Sequence, residues 1–168
     1  MNSTRATDIT IRNAESPEDY ALARQLFEEY AQALGVDLCF QNFALELEDL
    51  RGSYGPPGGG LLLAHRGSEA AGCIALRRLD TSCCEMKRLY VRPSLRGIGL
   101  GRLLAERLLE RARELGYRRM VLDTLESMES ARALYRSLGF AEAEAYYHNP
   151  LPGVHYMALD LAPLIAGD

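Results

Sequence analysis

A strand that runs into three closely spaced glycines and then into a long helix constrains this chain more than any other feature. Glu85–Val91 reads as a strand, and it stops before Pro93, which has no amide hydrogen to give a ladder. Arg96-Gly97-Ile98-Gly99-Leu100-Gly101-Arg102 follows. From about Gly99 to Leu115 the pattern is helical, with Leu104, Leu108, Ala112 and Leu115 on one face and Gly116 as the cap. The first amides of a helix have no internal partners, and the helix dipole is positive at that end. Glycines let the backbone close on a phosphate, so the segment is built as a phosphate cradle. Arg96 and Arg102 add charge-assisted hydrogen bonds. Turning a corner needs one glycine; this turn has three.

Two familiar phosphate motifs fail on the same letters. A Walker loop needs Gly-Lys-Ser/Thr, and the chain has a single lysine, Lys87. A dinucleotide fingerprint needs Gly-x-Gly-x-x-Gly; counted from Gly97 the third glycine is Arg102, and from Gly99 it is Leu104. Asp123 lies where a ribose-binding acid would be expected, 22 residues after Gly101, but the glycine spacing does not support it.

The other elements follow from periodicity and punctuation. Ile9–Ile11 alternates as a short strand, and Ser16-Pro17-Glu18-Asp19 starts a helix that Gly35 ends. Phe40–Leu50 reads as a shorter amphipathic helix, and Gly52–Gly60 as a loop or lid. Leu61–His65 and Ala70–Leu76 flank a hairpin turn. Met120–Leu122 is a short strand, 127–138 a helix closed by Gly139, and Ala141–Tyr147 with His155–Leu161 a final strand pair. This order predicts one mixed α/β (α+β) domain over 1–168. Its sheet is largely antiparallel, has one β-α-β crossover near the middle and is flanked by about four helices.

With 168 residues, 48% apolar and 25% charged, the chain can bury roughly 70% of its unfolded surface without disulfides or metal. No apolar run reaches the ~18 residues of a membrane helix. MNSTRATD has no apolar core of a secretory signal, so a cytoplasmic location is expected, with no membrane partner. Cys39, Cys73, Cys83 and Cys84 fit neither a disulfide framework nor a zinc pattern, and His65, His148 and His155 lack ligand spacing, so no metal is expected. A net charge of −4 argues against nucleic acid. Residues 85–119, however, hold ten basic groups against four glutamates, a net of +6 that suits a small anionic ligand. The pairs among residues 106–114 are a solvated helix face; Arg88, Arg92, Arg96 and Arg102 are left over.

Arg96-x-x-Gly99-x-Gly101 after Glu85–Val91 resembles the signature of the GNAT superfamily of acyl-CoA-dependent N-acyltransferases. Ala131-x-x-Leu134-Tyr135-x-x-x-Gly139-Phe140 resembles that superfamily's second motif, in the right order and at the right separation. The resemblance implies that Arg96, Gly97, Ile98, Gly99, Leu100, Gly101 and Arg102 hold the pyrophosphate of coenzyme A. It further implies that the backbone of Leu89, Tyr90 and Val91 pairs with the pantetheine arm and offers an amide to the acetyl carbonyl. Glu85 matches a general base of some members, and Tyr135 the tyrosine that protonates the departing thiolate. Where many members carry an asparagine seven residues before that tyrosine, this chain has Met128, with Ser127 and Ser130 as stand-ins.

Physical chemistry asks for the same parts. An amine of pKa ~10.4 is protonated at neutral pH and must lose a proton before it attacks a thioester. A carboxylate such as Glu85 takes it, directly or through a water. The expectation is thus acetyl-CoA as co-substrate and direct transfer to the primary amine of a small molecule, or of an amino acid or peptide, in a ternary complex, with room for a homodimer. Its rivals are a non-catalytic acyl-CoA sensor on the same fold and, third, a dinucleotide-binding domain.

Overall fold

The computed structural model describes residues 8–163; residues 1–7 and 164–168 of the expected domain lie outside the described residues. Strand β1 (Ile9–Asn13) leads into helix α1 (Pro17–Leu34). Ser16 and Asp19 form a reciprocal capping box at its start, and Gly35 (φ 70°) closes its end. Buried Asp19 also binds the Arg12 guanidinium at 2.5 and 2.7 Å, which holds its carboxyl well below the usual carboxylate range. After two short helices come β2 (Gly60–Arg66), β3 (Glu69–Arg78) and β4 (Cys83–Val91). Helix α4 (Leu100–Glu114), β5 (Arg119–Leu125), helix α5 (Glu129–Ser137), β6 (Ala141–Glu142) and β7 (Val154–Asp160) complete the described order.

The seven strands form one sheet, ordered β1-β2-β3-β4-β5-β7-β6. Every pairing is antiparallel except β4 with β5, which α4 connects as a crossover. Alternation along β2 and β3 builds a core on each face. Leu61, Leu63, Cys73 and Ala75 meet Leu26 and Phe27 of α1, while Leu62, Ala64, Ile74 and Leu76 meet Leu104 and Leu108 of α4.

Three expectations need correction. The segment 40–50 is not one helix: a 3-10 turn (Cys39–Gln41) precedes α2 (Phe43–Glu48), and α3 (Leu50–Tyr54) follows. Asn42 sits at φ 57°, and the Asp49 side chain caps the Gly52 amide at 2.9 Å, so the chain restarts twice. The segment 52–60 is not all loop, because Gly52–Tyr54 close α3 and Tyr54 is buried against Phe27. A Cβ on Gly59 would lie 2.6 Å from the Tyr54 carbonyl carbon, so this glycine permits a close approach. Finally, the strand expected at Ala141–Tyr147 lasts two residues. Tyr146 and Tyr147 leave the sheet edge because their hydroxyls donate to carboxylates on the sheet face.

Candidate active site

The site begins where the one parallel pairing ends. β4 and β5 are paired only over Cys83–Glu85 and Arg119–Val121. Beyond Glu85, β4 continues beside β3, while β5 continues beside β7 to Leu125. The two strands therefore splay, and a cleft opens between them. Within β4 the register slips by one residue, because Cys73 faces Tyr90 but Ala75 faces Lys87. Arg88 sits in this bulge at φ 61°, a conformation non-glycine residues seldom adopt. One consequence is that neighbouring Lys87 and Arg88 both face the α1–α3 layer.

On one side of the splay lies a cavity of about 630 Å³. Leu89, Tyr90 and Val91 line it from β4, and Arg96, Gly97, Gly99, Leu100 and Gly101 from the turn and helix start. Gly97 and Gly99 have φ of 84° and 82°, a conformation that favours glycine, and a Cβ at either would meet nothing within 4 Å. Gly99 is the N-cap of the fifteen-residue α4 and no side chain caps it. The first-turn amides are left for an anion, and the residues present fit a pyrophosphate. The arginines are arranged differently from the expectation. Arg96 donates to the Val91 carbonyl at 2.9 Å and lies over the Tyr90 ring. Arg102 binds Glu106 at 3.2 Å and the Ser137 hydroxyl at 2.9 Å, and neither it nor half-exposed Ile98 lines the cavity.

Tyr135 lines both this cavity and a narrow one of about 50 Å³ at the crotch of the splay. Its ring packs edge-on against Phe140, and burial raises its phenol above the ordinary range, so it stays protonated. Met128 is the N-cap of α5 and lines the same two cavities. The Thr124 hydroxyl donates to its sulfur at 3.6 Å, while Ser127 and Ser130 line the larger cavity.

Beyond the narrow cavity lies a wider cleft of about 530 Å³, and Gln41 and Lys87 line both. This chamber is roofed by segments remote in sequence. Glu46 of α2 binds the Arg88 guanidinium through two bonds of 2.9 Å, and Gln41 accepts a third. Burial alone would lower Arg88, but the hydrogen bonds and charge of Glu46 outweigh it and hold the guanidinium charged. Gln41 donates to the Tyr147 hydroxyl at 2.8 Å; Tyr147 and Asn149 in turn donate to Asp123. Burial, with Glu85 and Asp123 behind it, pushes the Tyr146 phenol up, so it remains a donor.

The two expected catalytic side chains line different cavities. Glu85 is 1% exposed, accepts from Arg77 at 2.9 Å and from Tyr146, and lines the wide cleft rather than the cavity that holds Tyr135. Asp123 shares that cavity with Tyr135. Sequence reasoning weighed Asp123 only as a ribose ligand. A lone acid after the apolar run Met120-Val121-Leu122 was the available signal. Nothing local marked Gln41 or Glu46, while Tyr146-Tyr147-His148-Asn149-Pro150 reads from sequence equally as acceptor-pocket lining or as a strand end with a turn. Among the described residues, no cluster of His, Cys, Asp and Glu could hold a metal, and no helix is long and apolar enough to cross a membrane.

Comparison with known proteins agrees with this geometry. The acetyltransferase (GNAT) family profile matches residues 20–140. An N-acetyltransferase of Schizosaccharomyces pombe is 44% identical over 160 residues, covering 94% of this chain and 98% of its own. An acetyltransferase from Streptococcus agalactiae superposes with a TM-score of 0.75 at 25% identity, over 92% of this chain and 99% of its own. An acetyltransferase from Salmonella typhimurium, solved with its cofactor acetyl-CoA, shares the fold with a TM-score of 0.65 at 24% identity, over 96% and 98%. The chain belongs to the acetyltransferase (GNAT) family, and its activity is acyl transfer.

Proposed function

We propose that this chain, as one domain over 1–168, is an acetyl-CoA-dependent N-acetyltransferase that passes the acetyl group directly to the primary amine of a small molecule. The observation that carries this is the meeting of two unlike cavities at Tyr135. One is lined by the glycine turn and the start of α4, and the other by the ionisable side chains Lys87, Arg88 and Asp123. The Salmonella protein of the same fold was solved with acetyl-CoA, which supports that donor here.

When bound, acetyl-CoA supplies an acetyl group activated as a thioester. Gly97, Gly99, Gly101 and the first amides of α4 hold the pyrophosphate. The β4 edge at Leu89–Val91 has no β5 partner and is free to bind the pantetheine amides. A fixed amide of this edge aimed at the acetyl oxygen contributes about 3 kcal/mol. Asp123, whose hydrogen-bond donors are the neutral Tyr147 and Asn149, takes the amine proton. Glu85, the base implied by resemblance, becomes a positioning residue that fixes Tyr146 and Arg77. The new N–C bond forms as the C–S bond breaks, and Tyr135 donates to the departing sulfur. An ordinary phenol is ~1.5 units weaker as an acid than a thiol, a gap of about 2 kcal/mol that burial widens. Tyr135 therefore acts as a hydrogen-bond donor that strengthens as charge builds on sulfur, not by early proton release.

The test is release of free CoA thiol with an unbiased panel of amines, followed by initial rates at varied concentrations of both substrates. Intersecting lines are expected. Parallel lines would contradict direct transfer, and acetyl-CoA binding without thiol release from any amine would favour the sensor reading.

A further inference from the structure

Three charged side chains line the narrow cavity: Lys87, Arg88 and Asp123. Arg88 is held by Glu46, and in the wide cleft Arg77 is held by Glu85. Among the described residues, Lys87 and Asp123 have no charged partner as close. The Lys87 side chain is 6% exposed, yet among the described residues its ammonium makes no hydrogen bond. The one carboxylate oxygen within 4.0 Å, Glu85 Oε1 at 3.9 Å, already accepts from Arg77. Arg77 and Lys87 thus share Glu85, and Arg77 holds the nearer contact. Among the described residues Asp123 has neutral donors and no ion-pair partner. Lys87 and Asp123 line the same narrow cavity beside Tyr135.

Composition sharpens the point. This chain meets every other need for a side-chain cation of this type with arginine, and its single lysine is buried here. An ammonium is a compact charge on a flexible stem, suited to following a small anion into a narrow space. The Lys87 Nζ is not sealed from the cavities that it lines, and a ligand anion entering there would pair with it.

We propose that the acceptor is a small α-amino acid bound as its zwitterion, its carboxylate on Lys87 Nζ and its amino nitrogen at Asp123. This rests on the acetyltransferase reading above. The amino acid side chain extends into the wide cleft, between Leu79, Val121 and Tyr146. Burial lowers the Lys87 ammonium from its ordinary value, and a bound carboxylate would restore it.

The test compares amino acids with the amines that lack only the carboxylate: serine with ethanolamine, histidine with histamine, leucine with isoamylamine. For the preferred pair, kcat/KM should favour the acid by about 100-fold or more. In Lys87→Met that ratio should fall to within about threefold, and Lys87→Arg should recover part of it. Because the chain has one lysine, isotope-labelled lysine gives one side-chain resonance in the CoA-bound protein. Titration with the preferred acid should shift it, and the matching amine should not; this holds even if a variant fails to fold. Preference for the amines, or acetylation of neither member of any pair while acetyl-CoA still binds, overturns the zwitterion proposal and leaves the acetyltransferase reading intact. Failure to bind acetyl-CoA overturns both.

Discussion

The two cavities that meet at Tyr135 are made in opposite ways. The larger centres on one contiguous stretch, Leu89–Gly101, walled by Tyr30, Ala33 and Leu34 of α1 and by residues 127–135. The chamber opposite is built from Gln41, Arg77, Glu85, Lys87, Asp123, Tyr146 and Asn149, brought together by five separate segments. A backbone site depends on conformation, which a few glycines specify. A side-chain site depends on tertiary packing and can change its ligand one residue at a time. The contrast teaches that the glycine turn is specified by local sequence and the chamber by long-range contacts.

The largest effect should come from the base. Asp123→Asn should lower turnover by roughly 10²–10⁴-fold at neutral pH, with acetyl-CoA affinity intact, and the loss should shrink at high pH where solvent supplies free amine. Glu85→Gln, one cavity away, should cost only about tenfold by loosening Tyr146 and Arg77. Steady-state rates across pH decide between them, and the reverse order would make Glu85 the base. Next comes the residue common to both cavities. Tyr135→Phe keeps the packing against Phe140 and should lower kcat by roughly 10²-fold, with stability and coenzyme affinity little changed. Full turnover in that variant would make Tyr135 a packing residue.

The same contrast explains what the sequence disclosed. The glycine turn, the capped α1, the parallel crossover and the position of Tyr135 were all legible, because each is written in consecutive or helically spaced residues. The strand expected at Ala141–Tyr147 was not so written. Its alternation is real, but buried Glu85 and half-buried Asp123 accept from the Tyr146 and Tyr147 hydroxyls and draw the segment over the sheet. The roles of Lys87 and Arg88 were equally hidden, since no local rule announces a one-residue bulge that turns both to the same face. Glu85 was found by resemblance, and only the splay of β4 from β5 shows that it lies away from Tyr135.

The central claim, that backbone amides at the glycine turn hold the donor independently of the acceptor chamber, is tested most directly by calorimetric titration of acetyl-CoA into Gly99→Glu. Gly99 faces open space at φ 82°, so the substitution strains the turn and places a carboxylate where the pyrophosphate belongs. In the unmodified protein, acetyl-CoA at 100 times its Kd should stabilise the fold by about 2.7 kcal/mol, and Gly99→Glu should abolish both the heat of binding and that stabilisation. Asp123→Asn should keep both. Undiminished acetyl-CoA binding by Gly99→Glu would contradict the account.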